Sequence, residues 1–309
     1  MSASSASAKN MKYAKIAARD GRQADHLPYL RHVHDRIIKT KQGFYLGVIR
    51  LNGLCFQTLD QSEINLRFIG RNQTITGLGS SRYALYGHVI RREVDPRVEG
   101  TFDNPFVQEL DARYIQAMSS RKMFQNEIYI SVLRRPMQGK VGMLDQMVQQ
   151  FKMVGSDGEG EADILRELSD ALDARARDMA AYGARVLSVV ERKDGFFTEP
   201  GEFLAKLVNG GEEVPVALVR TGLDQYLPSK RLFFAGNSVE LRGGAGSKFG
   251  AMMSVKEYPP FCGPGMLDRL LQLPYEFIIT QSFSLSERSA ALDRMNKIGR
   301  QVSGSDHAG

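Results

Sequence analysis

Short strand-like runs separated by helix-start signals dominate the first half of this 309-residue chain. Runs rich in β-branched and aromatic residues are typical of strands, and Pro cannot donate to a sheet, so breaks at Asp95-Pro96 and Pro136 limit their length. Strands are predicted over residues 43–53, 54–60, 81–94 and 123–136, and helices over about 61–75 and 104–121. The order β-β-α-β-α-β indicates an antiparallel sheet covered by helices.

Local signals specify three of these boundaries. Asn52-Gly53 lies between two apolar runs, a pattern that favours a tight hairpin. Asp60 is a candidate helix cap, with Glu63 at the capping-box position. Asn104-Pro105 indicates another helix start, since Pro is favourable at the first helical position.

The stretch MVGSDGEGEAD, residues 153–163, has the glycine and acid content of a linker. An apolar stripe with a period near 3.6 residues then predicts a long helix from about Glu161 to Arg192, with Gly183 on the stripe. Further helices are predicted over 202–209, 263–274 and 286–301, and strands over 231–243, 248–259 and 275–285.

These signals predict an α+β fold of two mixed modules, each an antiparallel sheet with covering helices, joined by the Gly/acid-rich linker. The predicted divisions are a basic flexible tail over 1–26, an N-terminal module over 27–152, the linker over 153–163, a second module over 164–302 and a flexible tail over 303–309.

Composition narrows the function classes. The net charge of +6 and pI near 9.2 permit binding to nucleic acid, anionic lipid or an acidic protein, but the Lys and Arg residues are spread along the chain rather than clustered. Cys55 and Cys262 are far apart and indicate neither a disulfide framework nor a zinc site; we expect both to be small packing residues. No apolar run is long enough to span a membrane.

The glycine-rich stretch Gly243–Gly250 raises the question of a phosphate-binding loop, with Lys248 as the candidate nucleotide ligand. A P-loop requires G-x-x-x-x-G-K-[ST], but here Ser247 precedes the lysine and Phe249 follows it. A predicted strand, rather than a helix, comes next. The pattern therefore favours a hairpin turn between two strands.

The remaining candidate sites are isolated. His32 and His34 could present two imidazoles on one strand face to a metal, but no third ligand is evident. Glu191 and Asp194 are interpreted as a solvated helix end. Five aromatic residues could stack nucleic-acid bases on a sheet, although such residues are more often core: Phe44, Tyr45, Tyr83, Tyr86 and Tyr129. We therefore assign no catalytic or metal residue.

Four stretches resemble one family, the CagE/TrbE/VirB family of type IV secretion and conjugation ATPases. The matching stretches are LPYLRHVHDRIIKTKQGFYLGVIRLNGLCFQTLD (27–60), NPFVQELDARYIQAM (104–118), NEIYISVLRRP (126–136) and GAMMSVKEYPPFCGPGMLDRLLQLPYEFIITQSFSL (250–285). The resemblance extends over about residues 27–300, the N-terminal and central region of such proteins.

The resemblance implies a protein that energises assembly of, and transfer through, an envelope-spanning secretion channel. It implies a location at the cytoplasmic face of the bacterial inner membrane, with self-association and binding to inner-membrane channel subunits. In the full-length family ATP and Mg²⁺ bind a C-terminal motor domain, and the sequence contains no Walker A motif of that domain. We therefore expect docking rather than ATP hydrolysis from these residues, and no small-molecule partner.

Two alternatives stay open at this point. One is a nucleotide-binding enzyme that uses Lys248 in a nonstandard loop at Gly243–Gly250. The other is a basic α+β module that binds nucleic acid, a partner that the charge permits but does not indicate.

Overall fold

The computed structural model describes residues 21–54, 59–79, 81–94, 100, 102–119, 122–135, 158–244, 246–255, 268–285, 292–293 and 295–297. Its helices are α1 Gln23–His26, α2 Gln61–Thr76, α3 Pro105–Ser119, α4 Gly158–Asp178, α5 Glu199–Val208 and α6 Leu223–Tyr226, with 3₁₀ turns over Ala180–Tyr182 and Asp268–Gln272. Its strands are β1 Tyr29–His34, β2 Ile37–Thr40, β3 Tyr45–Leu51, β4 Tyr83–Val94, β5 Met123–Arg134, β6 Arg185–Val186, β7 Val189–Arg192, β8 Gly195–Thr198, β9 Arg231–Ala235, β10 Ser238–Gly243, β11 Gly246–Gly250 and β12 Phe277–Ser284. The predicted α+β class is confirmed.

A seven-stranded sheet organises the fold, in the order β1-β2-β3-β5-β4-β12, with β6 alongside β3. The described strand pairs of this sheet are antiparallel, and the longest runs from Tyr83↔Arg134 to Val94↔Met123 between β4 and β5. This ladder of twelve pairs holds the two strands that flank α3 in sequence side by side.

The sheet buries side chains on both faces. Successive residues of a strand point to opposite faces, so Ile37 and Ile38, both fully buried, belong to different apolar clusters. One cluster packs α5 on the sheet through Phe203 and Leu204. The other packs α4 on the opposite face through Leu168 and Leu172. Helices on both faces explain why central strands such as β3 are buried on both sides.

The predicted hairpin at Asn52-Gly53 is wrong. At Arg50 both edges of β3 are already paired, with Tyr129 of β5 on one side and Arg185 of β6 on the other. The backbone N–H groups of Asn52 and Gly53 donate instead to the Tyr182 carbonyl, at 3.0 and 3.2 Å. The Asn52-Gly53 turn signal is thus overridden by tertiary contacts, which join the end of β3 to Tyr182 and β6, far along the chain.

The helices of the first half lie close to their predicted bounds. Asp60 is at the N-cap position of α2, as expected, but its side chain makes no capping hydrogen bond, and Glu63 pairs with Arg67 at 2.5 Å. The predicted helix start at Asn104-Pro105 is confirmed, because α3 begins at Pro105 and Asn104 Oδ1 accepts from the Phe106 N–H at 2.9 Å.

The helix predicted to run to Arg192 is wrong in its second half, since α4 ends at Asp178. Gly183 adopts a left-handed conformation, with φ of 63°, at the end of the 3₁₀ turn, which stops helical continuation. Residues 185–198 then form β6 and the β7–β8 hairpin. Glu191 is therefore on a strand and Asp194 is in the hairpin turn, rather than at a helix end.

The sheet includes strands from both halves of the chain. β12 pairs with β4 from Phe277↔Arg91 to Ser284↔Ala84, and β6 pairs with β3. Helix α4 begins at Gly158, so the second part of the segment interpreted as a linker is helical. The predicted division into five parts stays a prediction, but the two halves of the chain share one sheet.

The second half otherwise follows the expected order of elements. The predicted turn at Gly236-Asn237 joins β9 to β10, and β12 lies within the predicted final strand. Cys55, Cys262 and the two predicted tails, apart from residues 21–26, lie outside the described residues, as does most of the helix predicted over 286–301. No described helix is both long and apolar enough to cross a membrane.

Candidate docking surface

A separate three-stranded sheet, β11-β10-β9, carries the candidate site. Directly paired residues of an antiparallel sheet point to the same face. Glu240 pairs with Phe233 on one side and Phe249 on the other, so these three side chains share a face. Leu241 pairs with Leu232 and Lys248, which places those three on the opposite face.

The face that bears Phe233 and Phe249 combines apolar and charged groups. The guanidinium of Arg242 lies over the Phe233 ring at 4.6 Å and pairs with Glu240 at 3.0 Å. Hydrogen bonds from Ser247 and then Arg242 hold the pKa of Glu240 below its usual value. The charges of Arg242 and Glu240 are thus matched, while the Phe233 and Phe249 rings stay accessible.

Exposed apolar side chains extend from this sheet into the segment after β11. Phe234 and Phe249 are 76% and 78% exposed, and Met252 and Met253 are 92% and 94% exposed. Phe234 pairs with Val239, the neighbour of Glu240, so it lies on the opposite face from Phe233 and Phe249. We call the remaining set the apolar strip; its members are Phe233, Phe249, Met252, Met253 and Val255. Several exposed apolar side chains within one short region mark a site of protein or membrane interaction, and the flexible methionine side chain adapts to differently shaped partners.

The opposite face attaches the small sheet to the rest of the chain. A Cβ on Gly210, which has φ of +68°, would lie 2.8 Å from Leu241 Cδ2, so the two segments approach closely. Lys248 Nζ pairs with Glu276 Oε2 at 2.6 Å, just before β12 begins. Burial by itself would raise the pKa of Glu276, but hydrogen bonds from Lys248 and from the Glu93 N–H hold it below its usual value.

The stretch around Lys248 does not have the geometry of a phosphate-binding loop. Gly243 and Gly246 face each other across a tight turn, and residues 246–250 form β11, as the hairpin interpretation predicted. The residues after Lys248 continue as a strand, so no helix N-terminus faces it. The Lys248 ammonium is engaged by Glu276. These residues do not fit a nucleoside triphosphate, and no step through one is derived.

The two histidines proposed as possible metal ligands are otherwise engaged. His32 Nε2 is 2.7 Å from Thr198 Oγ1, and its Nδ1 is 3.2 Å from the His34 carbonyl oxygen. His34 Nδ1 accepts from the Arg36 N–H at 3.3 Å. Within the described part of the chain, no three His, Cys, Asp or Glu residues are grouped for a metal ion.

The aromatic residues considered for base stacking serve the core. Tyr45, Tyr83 and Tyr129 are buried, and Phe44 and Tyr86 pack half-buried against one apolar cluster. The core interpretation of these residues is confirmed, and the sheet offers no row of free aromatic faces from this set.

Sequence reasoning missed a charge cluster formed by the buried Glu127 and Lys206, the nearly buried Arg92 and the exposed Glu213. Glu127 accepts from Arg92 at 2.5 Å, from Lys206 at 2.7 Å and from the Tyr129 hydroxyl at 2.6 Å. Glu213 bonds the same two cations, at 2.8 Å each. The four charges come from four segments and balance one another, so spacing along the chain could not reveal them. An acid in the apolar run EIYISVL was the only local signal.

A second exposed apolar row lies on α3. Phe106, Leu110 and Tyr114 recur at every fourth residue and are 72%, 57% and 58% exposed. Residues spaced by four share a helix face. The row provides a comparison surface of similar chemistry on a different element.

Comparisons with known proteins place these features in a family context. Residues 36–141 match the family model described as the N-terminal domain of the type IV secretion system ATPase VirB4/TrbE. Residues 185–308 match the model of the CagE, TrbE, VirB family, a component of the type IV transporter system.

Individual relatives extend over most of the chain. The type IV secretion system protein virB4 of Bartonella henselae is 30% identical over 285 residues, which is 92% of this chain and 36% of the relative. Protein virB4 of Agrobacterium fabrum is 27% identical over 285 residues, which is also 92% of this chain and 36% of the relative. The Brucella suis virB4 protein is 27% identical over 88% of this chain and 34% of its own length. The chain thus spans about a third of the length of these relatives.

Proposed function

Since the chain belongs to the CagE/TrbE/VirB family of type IV secretion proteins, and corresponds to the N-terminal portion of its VirB4-type ATPases, we propose that it acts by docking. In this proposal the apolar strip binds inner-membrane subunits of the secretion channel. The ATPase that contains this region then energises channel assembly and substrate transfer from the cytoplasmic face of the inner membrane.

The observation that carries the proposal is the exposure of the apolar strip. Leaving Phe233, Phe249, Met252 and Met253 in water is unfavourable, whereas a partner that covers them gains about 25 cal/mol for each Å² buried. A small antiparallel sheet also holds the two phenylalanines rigidly, which reduces the entropy lost on binding.

Charge next to the strip suits a partner at a membrane. Arg231 lies on the same face of the small sheet as Phe233 and is exposed, whereas Arg242 on that face is paired with Glu240. Cations beside an apolar surface favour anionic headgroups and acidic juxtamembrane segments, each contributing about 1 kcal/mol near an anionic surface. A membrane subunit whose cytoplasmic segment is apolar and acidic matches both features.

The test is co-purification of the chain with the inner-membrane subunits of its secretion system. We expect the Phe233→Ser/Phe249→Ser variant to recover at least about tenfold less of these subunits, since each buried aromatic anchor contributes over about 1 kcal/mol. Leu66→Ser on α2 is the matched control, because Leu66 is also exposed, at 69%, but lies on another element. It should leave recovery unchanged.

Two results would count against the proposal. Wild-type recovery by the strip variant means that the strip is not the docking surface. Loss of recovery only on Phe106→Ser/Tyr114→Ser would assign docking to α3 instead. The self-association expected from the resemblance stays a prediction, for which sedimentation velocity of the wild-type chain is the measurement.

A further inference from the structure

A cavity lies between the large sheet and α5, away from the groups that the docking proposal uses. Its volume is about 480 Å³, and its lining includes Phe44 and Leu46 of the β3 region, Leu133 of β5, and Leu204 and Leu207 of α5. Binding sites for small molecules have volumes of about 300–1,000 Å³ and mostly apolar walls. The cavity meets both conditions.

The described residues that line this cavity include no Lys, Arg, Asp or Glu, although 25% of the chain is charged. The histidine in the lining, His88, has Nδ1 3.0 Å from Thr280 Oγ1 and Nε2 3.1 Å from Ser131 Oγ. Burial lowers the pKa of His88 to about 4, so the ring is neutral at pH 7. An ionic ligand would lose its hydration here without gaining a counter-charge, which is strongly unfavourable.

Two tyrosine hydroxyls are among the polar groups of the cavity, whose lining also contains Thr40, Gln42, His88, Ser131 and Thr280. Tyr29 and Tyr86 both contribute to its lining, and neither hydroxyl has a hydrogen-bond partner among the described residues. Burial, followed by the proximity of Tyr86, raises the pKa of Tyr29, so its hydroxyl keeps its proton. Each hydroxyl can therefore donate to, or accept from, a ligand group.

We propose that this cavity is a binding site for a small uncharged ligand with a mainly apolar body and one or two hydrogen-bonding groups. The apolar wall contributes the binding energy, and the hydroxyls of Tyr29 and Tyr86 orient the ligand. No small-molecule partner is predicted from the sequence. The lining comes from separate segments near residues 29, 44, 86, 133 and 204, so no local pattern indicates the cavity. The inference does not depend on the docking function.

A matched pair of fluorescent probes tests the site. N-phenyl-1-naphthylamine is uncharged, whereas 8-anilinonaphthalene-1-sulfonate has the same ring system with an added sulfonate. We expect saturable fluorescence enhancement with the uncharged probe on the wild-type chain. The anionic probe should bind this site at least about tenfold more weakly, since desolvating an unpaired charge costs more than 1.4 kcal/mol.

Substitutions locate the probe. Leu207→Trp fills the cavity and should weaken binding of the uncharged probe at least about tenfold, a loss of about 1.4 kcal/mol. Gln42→Trp changes an exposed lining residue and keeps the test valid if Leu207→Trp does not fold. Leu218→Trp is the control, since this residue is 42% exposed and outside the cavity lining. Tyr29→Phe/Tyr86→Phe should weaken binding about two- to tenfold through lost hydrogen bonds.

Three results would overturn the inference. The first is no saturable binding of the uncharged probe to the wild-type chain. The second is wild-type affinity in both Leu207→Trp and Gln42→Trp. The third is loss of binding in Phe233→Ser/Phe249→Ser together with retention in the cavity variants, which would place the probe on the apolar strip. Because the strip variant tests docking and the cavity variants test ligand binding, either proposal can fail alone.

Discussion

Replacing Lys206 with Met should destabilise the fold by leaving the buried Glu127 carboxylate short of a partner. The Lys206 side chain is 9% exposed and that of Glu127 is 3% exposed, and their charged atoms are 2.7 Å apart. Met has a similar length but no charge, so the substitution removes the cation without opening a large cavity. Removing one partner of a buried ion pair costs about 3–5 kcal/mol. We expect the lower end, because Arg92 still bonds Glu127.

The pKa of Glu127 gives an independent magnitude. Burial by itself would raise this pKa, but hydrogen bonds from Lys206, Tyr129 and Arg92 lower it from 4.5 to about 2. A shift of this size corresponds to about 3 kcal/mol of stability when the carboxyl is ionised. Because the folded-state pKa is the lower one, this stability is present above pH 4.5 and is lost as the pH falls toward 2. Because Tyr129 and Arg92 share in this shift and stay in place in Lys206→Met, about 3 kcal/mol is the upper limit of what the loss of Lys206 removes through Glu127.

The assay is urea unfolding at pH 7, followed by circular dichroism, for the wild type, Lys206→Met, Glu127→Gln and the double variant. The double variant should be more stable than the sum of the single losses predicts, since it leaves no unpaired group of the pair. A free energy of unfolding for Lys206→Met within about 0.5 kcal/mol of wild type would refute the reasoning, because it would mean that the cluster is hydrated.

Two further predictions concern the large sheet. Burial lowers the pKa of His88 from 6.5 to about 4, so the unfolded chain binds a proton more readily than the folded chain, and stability should fall as the pH drops from 6.5 to 4. His88→Gln should reduce this change in stability, measured by thermal unfolding between the two pH values. An unchanged pH profile in the variant would contradict this. A Cβ on Gly47 would lie 2.3 Å from Leu172 Cδ1, so Gly47→Ala should lower the free energy of unfolding in urea by about 1–3 kcal/mol, and Leu172→Ala should partly relieve that strain. Gly87→Ala on β4 is the control, because no atom lies within 4 Å of its added Cβ. Equal losses for the two glycine variants would show that packing of α4 on β3 is not the cause.

Local patterns predicted most elements of the fold but not how the elements are paired. Strand β5 and helix α3 follow from β-branched content and from Asn104-Pro105, which act within a few residues. The pairing of β12 with β4 joins residues almost 200 positions apart, and no local signal encodes it. The prediction of a hairpin at Asn52-Gly53 was wrong for the same reason, because strands β5 and β6, from distant parts of the chain, pair with the two edges of β3.

The candidate surfaces differ in how far the sequence could predict them. The hairpin at Lys248 followed from the order of Ser247, Lys248 and Phe249, which is incompatible with a P-loop. The exposure of Phe249 could not be predicted, because an aromatic residue on a strand is usually buried. The cavity and the charge cluster depend on residues brought together by the sheet from distant segments.

Site-specific photo-crosslinking in cells tests docking through the apolar strip most directly. A photoreactive phenylalanine analogue at Phe249 keeps the exposed aromatic ring in place, and the same analogue at Leu66 is the matched control. The account predicts a crosslink from position 249, but not from position 66, to an inner-membrane subunit of the secretion channel. Crosslinks from position 249 that contain no inner-membrane subunit, with efficient labelling elsewhere on the chain, would contradict it.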